Sequence, residues 1–300
     1  MPRLQWIVAA CAVKLLAAAA PGFAQDAANP HPDQVEVRMG QIGLSFYAVT
    51  AGVVQEVLER LGHRVEVTTG SHAQIFPRLG AGEVDLLVAA WLPHGHAVYW
   101  EQYGARAQQF GVLYEGARFE WMVPAYVPAA QVSSVEDLRK PEVLARMEKT
   151  IQGTGRDSGN MMLSVEVMQA YGLESAGYRL QPGTLGDFHG AYDRNLARGN
   201  WFVMPLWRPH YINRLGTMRT IAEPKGLLGP ASNGTLVASR EWAARAPPRT
   251  LSALQRMHLG LDAVAEMDRM VNVEKMTPRD AARAWIQTNR DQVEAWFAGS

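Results

Sequence analysis

The chain has 300 residues, 48% hydrophobic and 19% charged, a balance that suits a folded protein large enough for two lobes. Its 29 basic and 29 acidic side chains cancel. That leaves no basic footprint for nucleic acid and no polybasic membrane patch, so function must sit in a local site.

Residues 1–24 read as a secretory signal peptide. Arg3 and Lys14 supply positive charge, 15–20 is apolar, and Gly22 and Ala24 are small residues before a cut ahead of Gln25. Cys11 is the only cysteine, so such a cut leaves an exported chain with no thiol and no disulfide. After a loose leader, 35–42 alternates as a strand does. Val49, Val53, Val57, Leu58 and Leu61 share one helix face, and Gly62 stops that helix. A strand at 65–69, a helical turn at 74–79 and a continuous apolar run at 84–91 complete a βαβαβ unit. The run suits a parallel strand covered on both faces.

A second unit begins near Phe119, where 119–127 reads as a crossing strand. Ser133 and Ser134 before Glu136 and Asp137 make a helix start. A short strand at 150–153 precedes a helix opened by Asp157-Ser158-Gly159-Asn160, with Met161, Val165 and Met168 on one face. Helix 185–198 and strand 201–205 follow. The chain returns to mixed pattern near 226 and ends in helices at 251–271 and 277–297, the last opened by Thr277-Pro278. The expected fold is α/β, with lobe one at 35–120 plus 226–300 and lobe two at 121–225. Open α/β sheets bind ligands beyond the carboxyl ends of their strands.

Two motifs lie there. Trp91-Leu92-Pro93-His94-Gly95-His96 follows the most apolar run, and Trp207-Arg208-Pro209-His210-Tyr211 follows the 201–205 strand. A tryptophan at a strand end can be a core plug as readily as a binding face; two matched cases in different lobes favour the second reading. The AAWLPHGH and LWRPHY segments resemble the two tryptophan motifs of the glycine betaine and choline binding proteins of bacterial ABC importers. RDSGNMM, AYGLESAGYRLQPG and EPKGLLG also resemble stretches of that family, and the likeness runs over about 35–297. It implies a type II periplasmic binding protein fold, with an interlobe cleft that closes on its ligand.

A trimethylammonium group has no N–H to donate, so only electron-rich ring faces can select it. Trp91 and Trp207 are the expected cage faces. The resemblance assigns His96 and the backbone amides of Gly159 and Asn160 to the carboxylate of a betaine, a task that suits a helix N-terminus. The family's third tryptophan, just after the first strand, is missing; Gly43-Leu44-Ser45-Phe46-Tyr47 stands there, so Phe46 or Tyr47 is the expected substitute. Phe119, Trp121 and His210 are further candidate walls. No Asp occurs between Gly40 and Gly62, where the choline binders carry one for the ligand hydroxyl.

The resemblance thus implies a periplasmic, monomeric carrier of a quaternary ammonium solute, serving the transmembrane subunits of an ABC transporter, with no enzyme activity, cofactor, metal or nucleic acid. The rival reading is an exported metal-dependent or serine hydrolase. It would use His72, His94, His96 and His210 as metal ligands, or Ser158 as a nucleophile outside any G-x-S-x-G setting. Trp242, Trp285 and Trp296 lie on helical patterns and read as packing residues. Alanine at Trp91 or Trp207 should abolish binding and leave the fold largely intact.

Overall fold

A computed structural model describes residues 35–298; the signal peptide expected at 1–24 lies outside them. The first unit runs β1 (Glu36–Ile42), α1 (Ser45–Arg60), β2 (Arg64–Gly70), α2 (His72–Ala81), β3 (Leu86–Leu92) and α3 (Ala97–Tyr103). The apolar face of α1 is buried. Gly62 and Gly82 follow α1 and α2 with φ of 89° and 78°, the left-handed turn that glycine makes without steric cost. β1 pairs in parallel with β2 and β3. Every residue of β3 is buried, but its other neighbour is antiparallel, so the sheet is mixed rather than parallel throughout.

That neighbour is β9 (Ser232–Ser239), which the sequence pattern left undefined. β4 (Ala107–Pro124) is far longer than the crossing strand expected from 119. Its first part pairs with β9, and Arg118–Met122 pairs with β7 (Met204–Arg208). Its end pairs with β8 (Met218–Thr220). One strand therefore carries the chain from one hydrophobic core into another. Glu120 on this strand is buried and takes Arg118 from β4 and Arg208 from β7.

The helix expected after Ser133 and Ser134 is a 3-10 turn (Val135–Arg139) capped by Ser134, followed by the short α4 (Pro141–Leu144). β5 (Thr150–Gln152) pairs in parallel with β6 (Arg179–Gln181). Between them, α5 (Gly159–Ala170) buries Met161, Ser164 and Met168, whereas Val165, expected on that face, is exposed. α6 (Leu185–Ala197) has Thr184 and Asp187 as a reciprocal cap.

β7 is shifted from the expected 201–205, so Trp207 lies within the strand. Past β9 come α7 (Arg240–Arg245), α8 (Pro248–Arg256), α9 (Leu261–Asn272), α10 (Pro278–Thr288) and α11 (Arg290–Phe297). The two long helices expected here are each broken in two. Gly260, at φ 82°, separates α8 from α9, and Asn289 separates α10 from α11. Apolar periodicity continues across both breaks, so the pattern alone does not reveal them.

The larger core surrounds β1, β3, β9 and α1, and includes Trp242, Trp285 and Trp296. The smaller one holds Trp121, Val135, Ile151, Val167, Tyr178 and Trp201. Phe188, Met204 and Trp207 come from the second half of the chain but pack with the larger core.

Candidate functional site

A narrow cavity of about 20 Å³ lies where β1, β2, β3, β4 and β7 end or cross and where α5 begins. It is lined by Phe46, Tyr47, Trp91, His96, Phe119, Gly159, Asn160 and Trp207, together with Leu44, His72, Thr154 and Ser158. The structure thus brings together eight of the ten residues selected from the sequence. Trp121 is elsewhere; its indole N–H donates to Ser164 Oγ at 3.1 Å inside the smaller core. His210 is also outside the lining. It stands behind Trp207, ring centroids 4.7 Å apart, and its Nδ1 accepts from the Ile212 amide.

The lining residues missed in the sequence obey the strand-end rule. Leu44 follows β1, His72 follows β2 and Thr154 follows β5. They carry no aromatic motif of the Trp-x-Pro type, so no local signature marks them.

Phe46 and Tyr47, the two expected substitutes for a third tryptophan, both line the cavity; the Phe46 ring stands between the two tryptophans. Its centroid is 5.8 Å from Trp91 and 5.8 Å from Trp207. Phe119 closes the other side of Trp91 at 5.0 Å. Trp91 is fixed from behind: its Nε1–H donates to Tyr114 Oη at 2.9 Å. Two residues upstream, Ala89 has φ 59°, in a bulge between Leu87 and Ala90. Bulges of this kind re-aim the side chains beside them.

The opposite pole of the cavity is built from donors. The amides of Gly159 and Asn160 belong to the first turn of α5, where the helix offers no internal acceptor. Ser158 Oγ takes the next free amide, that of Met161, at 3.2 Å. His96 Nδ1 accepts the Trp91 amide at 2.9 Å. In a neutral imidazole that places the proton on Nε2, which lies 3.4 Å from Tyr47 Oη. His96 is neutral because burial, with a smaller push from His72, holds its pKa well below the ordinary value. Burial lowers His72 to about 4, against the opposing pull of Asp157.

Asn160 Nδ2 donates to the Pro205 carbonyl at 2.7 Å, which leaves its buried Oδ1 without a protein partner; the buried Trp207 Nε1 likewise has none. None of the twelve lining residues is an acid, Lys or Arg.

The two cores meet around this cavity. A Cβ added to Gly159 would stand 2.5 Å from the Gly95 carbonyl oxygen, so only glycine permits this approach. Asp157 Oδ2 accepts the Ala73 amide at the start of α2 (3.0 Å), and Tyr99 Oη donates to the Asp157 carbonyl (2.7 Å). Burial works to raise the Asp157 pKa, but the bonds from Ala73 and Ser71 and the nearby His72 outweigh it and hold the group below the ordinary value.

Of the four histidines weighed as metal ligands, His72 and His96 come together, ring centroids 4.9 Å apart. His210 pairs instead with His189 at 5.7 Å. No group of three or more potential metal ligands occurs among the described residues. The Ser158 hydroxyl is engaged by Thr154 Oγ1 at 3.0 Å and by the Met161 amide.

An interlobe cavity walled by rings on one side and helix amides on the other defines a two-lobed α/β ligand-binding protein. Residues 35–288 match the substrate binding domain of ABC-type glycine betaine transport systems, and the chain belongs to that family. It is similar to the lactococcal OpuAC closed around glycine betaine (24% identity, TM-score 0.77, 87% of this chain and 99% of that one). A choline binding protein of an ABC transporter in complex with choline also shares the fold (18%, TM-score 0.76, 88% and 92%). Among curated relatives, the glycine betaine/carnitine transport binding protein GbuC of Listeria monocytogenes is 24% identical over 107 residues, 36% of this chain and 35% of that protein. The aligned stretch is thus about a third of GbuC's own length.

Proposed function

We propose that this chain is an exported, monomeric carrier that captures glycine betaine or a close relative and hands it to the transmembrane subunits of an ABC transporter. In this reading 1–24 is the signal peptide and the protein works in the periplasm. Lobe one comprises 35–120 plus 226–300, lobe two comprises 121–225, and they close on the solute by a hinge motion.

The observation that carries the choice of solute is a cavity with an aromatic end, a donor end and no charged side chain in its lining. A zwitterion matches both ends and brings no net charge. Its methylated nitrogen would rest on Trp91, Trp207 and Phe46, with Phe119 and Tyr47 completing the wall. Its carboxylate would take the Gly159 and Asn160 amides and His96 Nε2–H. A bare cation such as choline would lack a buried counter-charge, which is costly. Desolvated cation–π contacts run to about 2 kcal/mol each, so three rings and the donors reach the ~8 kcal/mol of micromolar binding.

A second reading is supported by Asn160 Oδ1, an acceptor with no protein partner. A hydroxyl-bearing betaine such as carnitine would satisfy it as well as the rings and the amides. Competition calorimetry with glycine betaine, carnitine and choline tests both. The first reading requires glycine betaine to bind most tightly, the second carnitine. Tightest binding of choline, or binding of none of them, overturns both.

A further inference from the structure

Behind the cage, one carboxylate is buried without a cation. Asp268 on α9 is fully inaccessible. Its Oδ2 accepts the Tyr211 amide at 2.7 Å and its Oδ1 accepts Asn272 Nδ2 at 2.9 Å. Asn272 Nδ2 also reaches Ser45 Oγ at 3.0 Å. Ser45 is the first residue of α1, immediately before Phe46. Tyr211 opens a 3-10 turn (Tyr211–Arg214) whose Asn213 donates back to the Trp207 carbonyl at 2.8 Å. The bonds thus run from the Ser45 hydroxyl beside Phe46, through Asn272 and Asp268, to the Tyr211 amide; the same short turn, through Asn213, holds the Trp207 carbonyl, and the Phe46 and Trp207 rings lie 5.8 Å apart.

Burying an ionisable carboxyl with no cation is costly. A neutral side chain could cap a 3-10 turn at less expense, but only a carboxylate accepts at both oxygens at once. We propose that Asp268 is a positioning residue that sets the spacing of the Phe46 and Trp207 rings, and through it the affinity for a methylated ammonium group. This rests on the cage reading above. Protonation would turn one of the two acceptors into a donor facing an N–H, so the link should slacken in acid.

Burial raises the Asp268 pKa to about 6, against the pull of Ser45, Tyr211 and Asn272. The charged groups on α9 and on the elements packed against it are Asp262, Glu266 and Arg269 of α9, Glu56, Glu59 and Arg60 of α1, Arg279, Asp280 and Arg283 of α10, Glu115, Arg118 and Glu120 of β4 and Arg214 of the 3-10 turn; around Tyr211 stand His189, Tyr192 and Asp193 of α6, with His210. Burial, ahead of all other influences, holds both histidines below their ordinary value and both tyrosines above theirs.

The test uses the full folded protein labelled with 5-fluorotryptophan, its Trp207 resonance assigned with Trp207→Phe, together with calorimetry against glycine betaine at pH 8 and pH 5. In the wild type the ligand-free Trp207 signal should shift with a midpoint near pH 6. Affinity should fall about fivefold from pH 8 to pH 5, the effect of one hydrogen bond. In Asp268→Asn the signal should stay flat, with binding already about tenfold weaker at pH 8. Ser45→Ala, the milder variant, should weaken binding about threefold and move the midpoint upward, because the pull of Ser45 on Asp268 is lost. A wild-type Trp207 signal that does not move between pH 5 and 8, or an Asp268→Asn protein that behaves as wild type, overturns the proposal. Should Asp268→Asn fail to fold, unchanged binding by Ser45→Ala overturns it. Should glycine betaine not bind the wild type at all, the cage reading fails, and the fluorine arm still decides the role of Asp268.

Discussion

The two tryptophan motifs look alike in sequence and are built differently. Trp91 sits in the all-buried β3 with its indole N–H bonded to Tyr114, its amide bonded to His96 and a bulge just upstream. Trp207 sits in β7 with its indole N–H unpartnered, and it rests on Phe188, centroids 5.4 Å apart, and on His210. One ring is part of the larger core's bonded framework; the other is held by packing and by the link to Asp268. The proposed hinge motion would suit one fixed wall and one adjustable wall.

Both tryptophans are almost fully buried, so alanine at either position would remove core contacts as well as a ring face. Truncating a buried Trp to Ala costs about 3–5 kcal/mol, which corrects the expectation that such variants leave the fold largely intact. Leucine is the better probe.

The comparison breaks most easily at stability. Trp91→Leu and Trp207→Leu should each weaken binding by thirtyfold or more, about 2 kcal/mol for a lost desolvated ring face. Trp91→Leu should also lower the melting temperature further than Trp207→Leu, because it leaves Tyr114 Oη without its donor. Calorimetry with thermal melts checks this; equal melting temperatures would erase the distinction between the walls.

Gly159→Ala should come close to the same binding loss, because the added Cβ meets the Gly95 carbonyl; under the proposed hinge motion the ligand-free protein parts its lobes and should melt normally. Small-angle scattering with and without ligand would show whether closure is blocked. Stability in acid offers a further cut. His72, lowered to about 4 by burial, contributes stability that is present above its ordinary pKa of 6.5 and lost as pH falls toward 4. The amount is on the order of 3 kcal/mol, and His72→Gln should flatten that acid limb in denaturant titrations. Asp157→Ala should have a smaller effect, a threefold to tenfold faster ligand release, about 1 kcal/mol for one charge-assisted bond; stopped-flow fluorescence reads it. Trp242→Phe, deep in the larger core, should leave affinity untouched.

Much of the cavity lining was legible because it follows a local rule. Trp91, Trp207, Gly159 and Asn160 stand beside strand ends or at a capped helix start, and each is marked by its immediate neighbours. Phe46 could be inferred as a substitute because its position in the chain was already fixed by β1. Trp121 lies outside the lining because a strand alternates its faces, and only pairing decides which face meets the cavity. His210 lies past the end of β7, where it caps the next turn behind Trp207. The place of His72 in the lining was opaque, since a residue that matters through contact with a distant part of the chain leaves no trace in its own neighbourhood.

The amino-acid order alone determined the α/β class, the family likeness and the aromatic chemistry of the site, because periodicity, caps and Trp-x-Pro motifs are written within a few residues. Only the tertiary structure decided that β4 joins the two cores, that β9 runs antiparallel to β3, that His96 carries its proton on Nε2, and that Asp268 reaches both Ser45 and Tyr211. Each of these depends on groups far apart in the chain, and long-range pairing is settled by packing rather than by local preference.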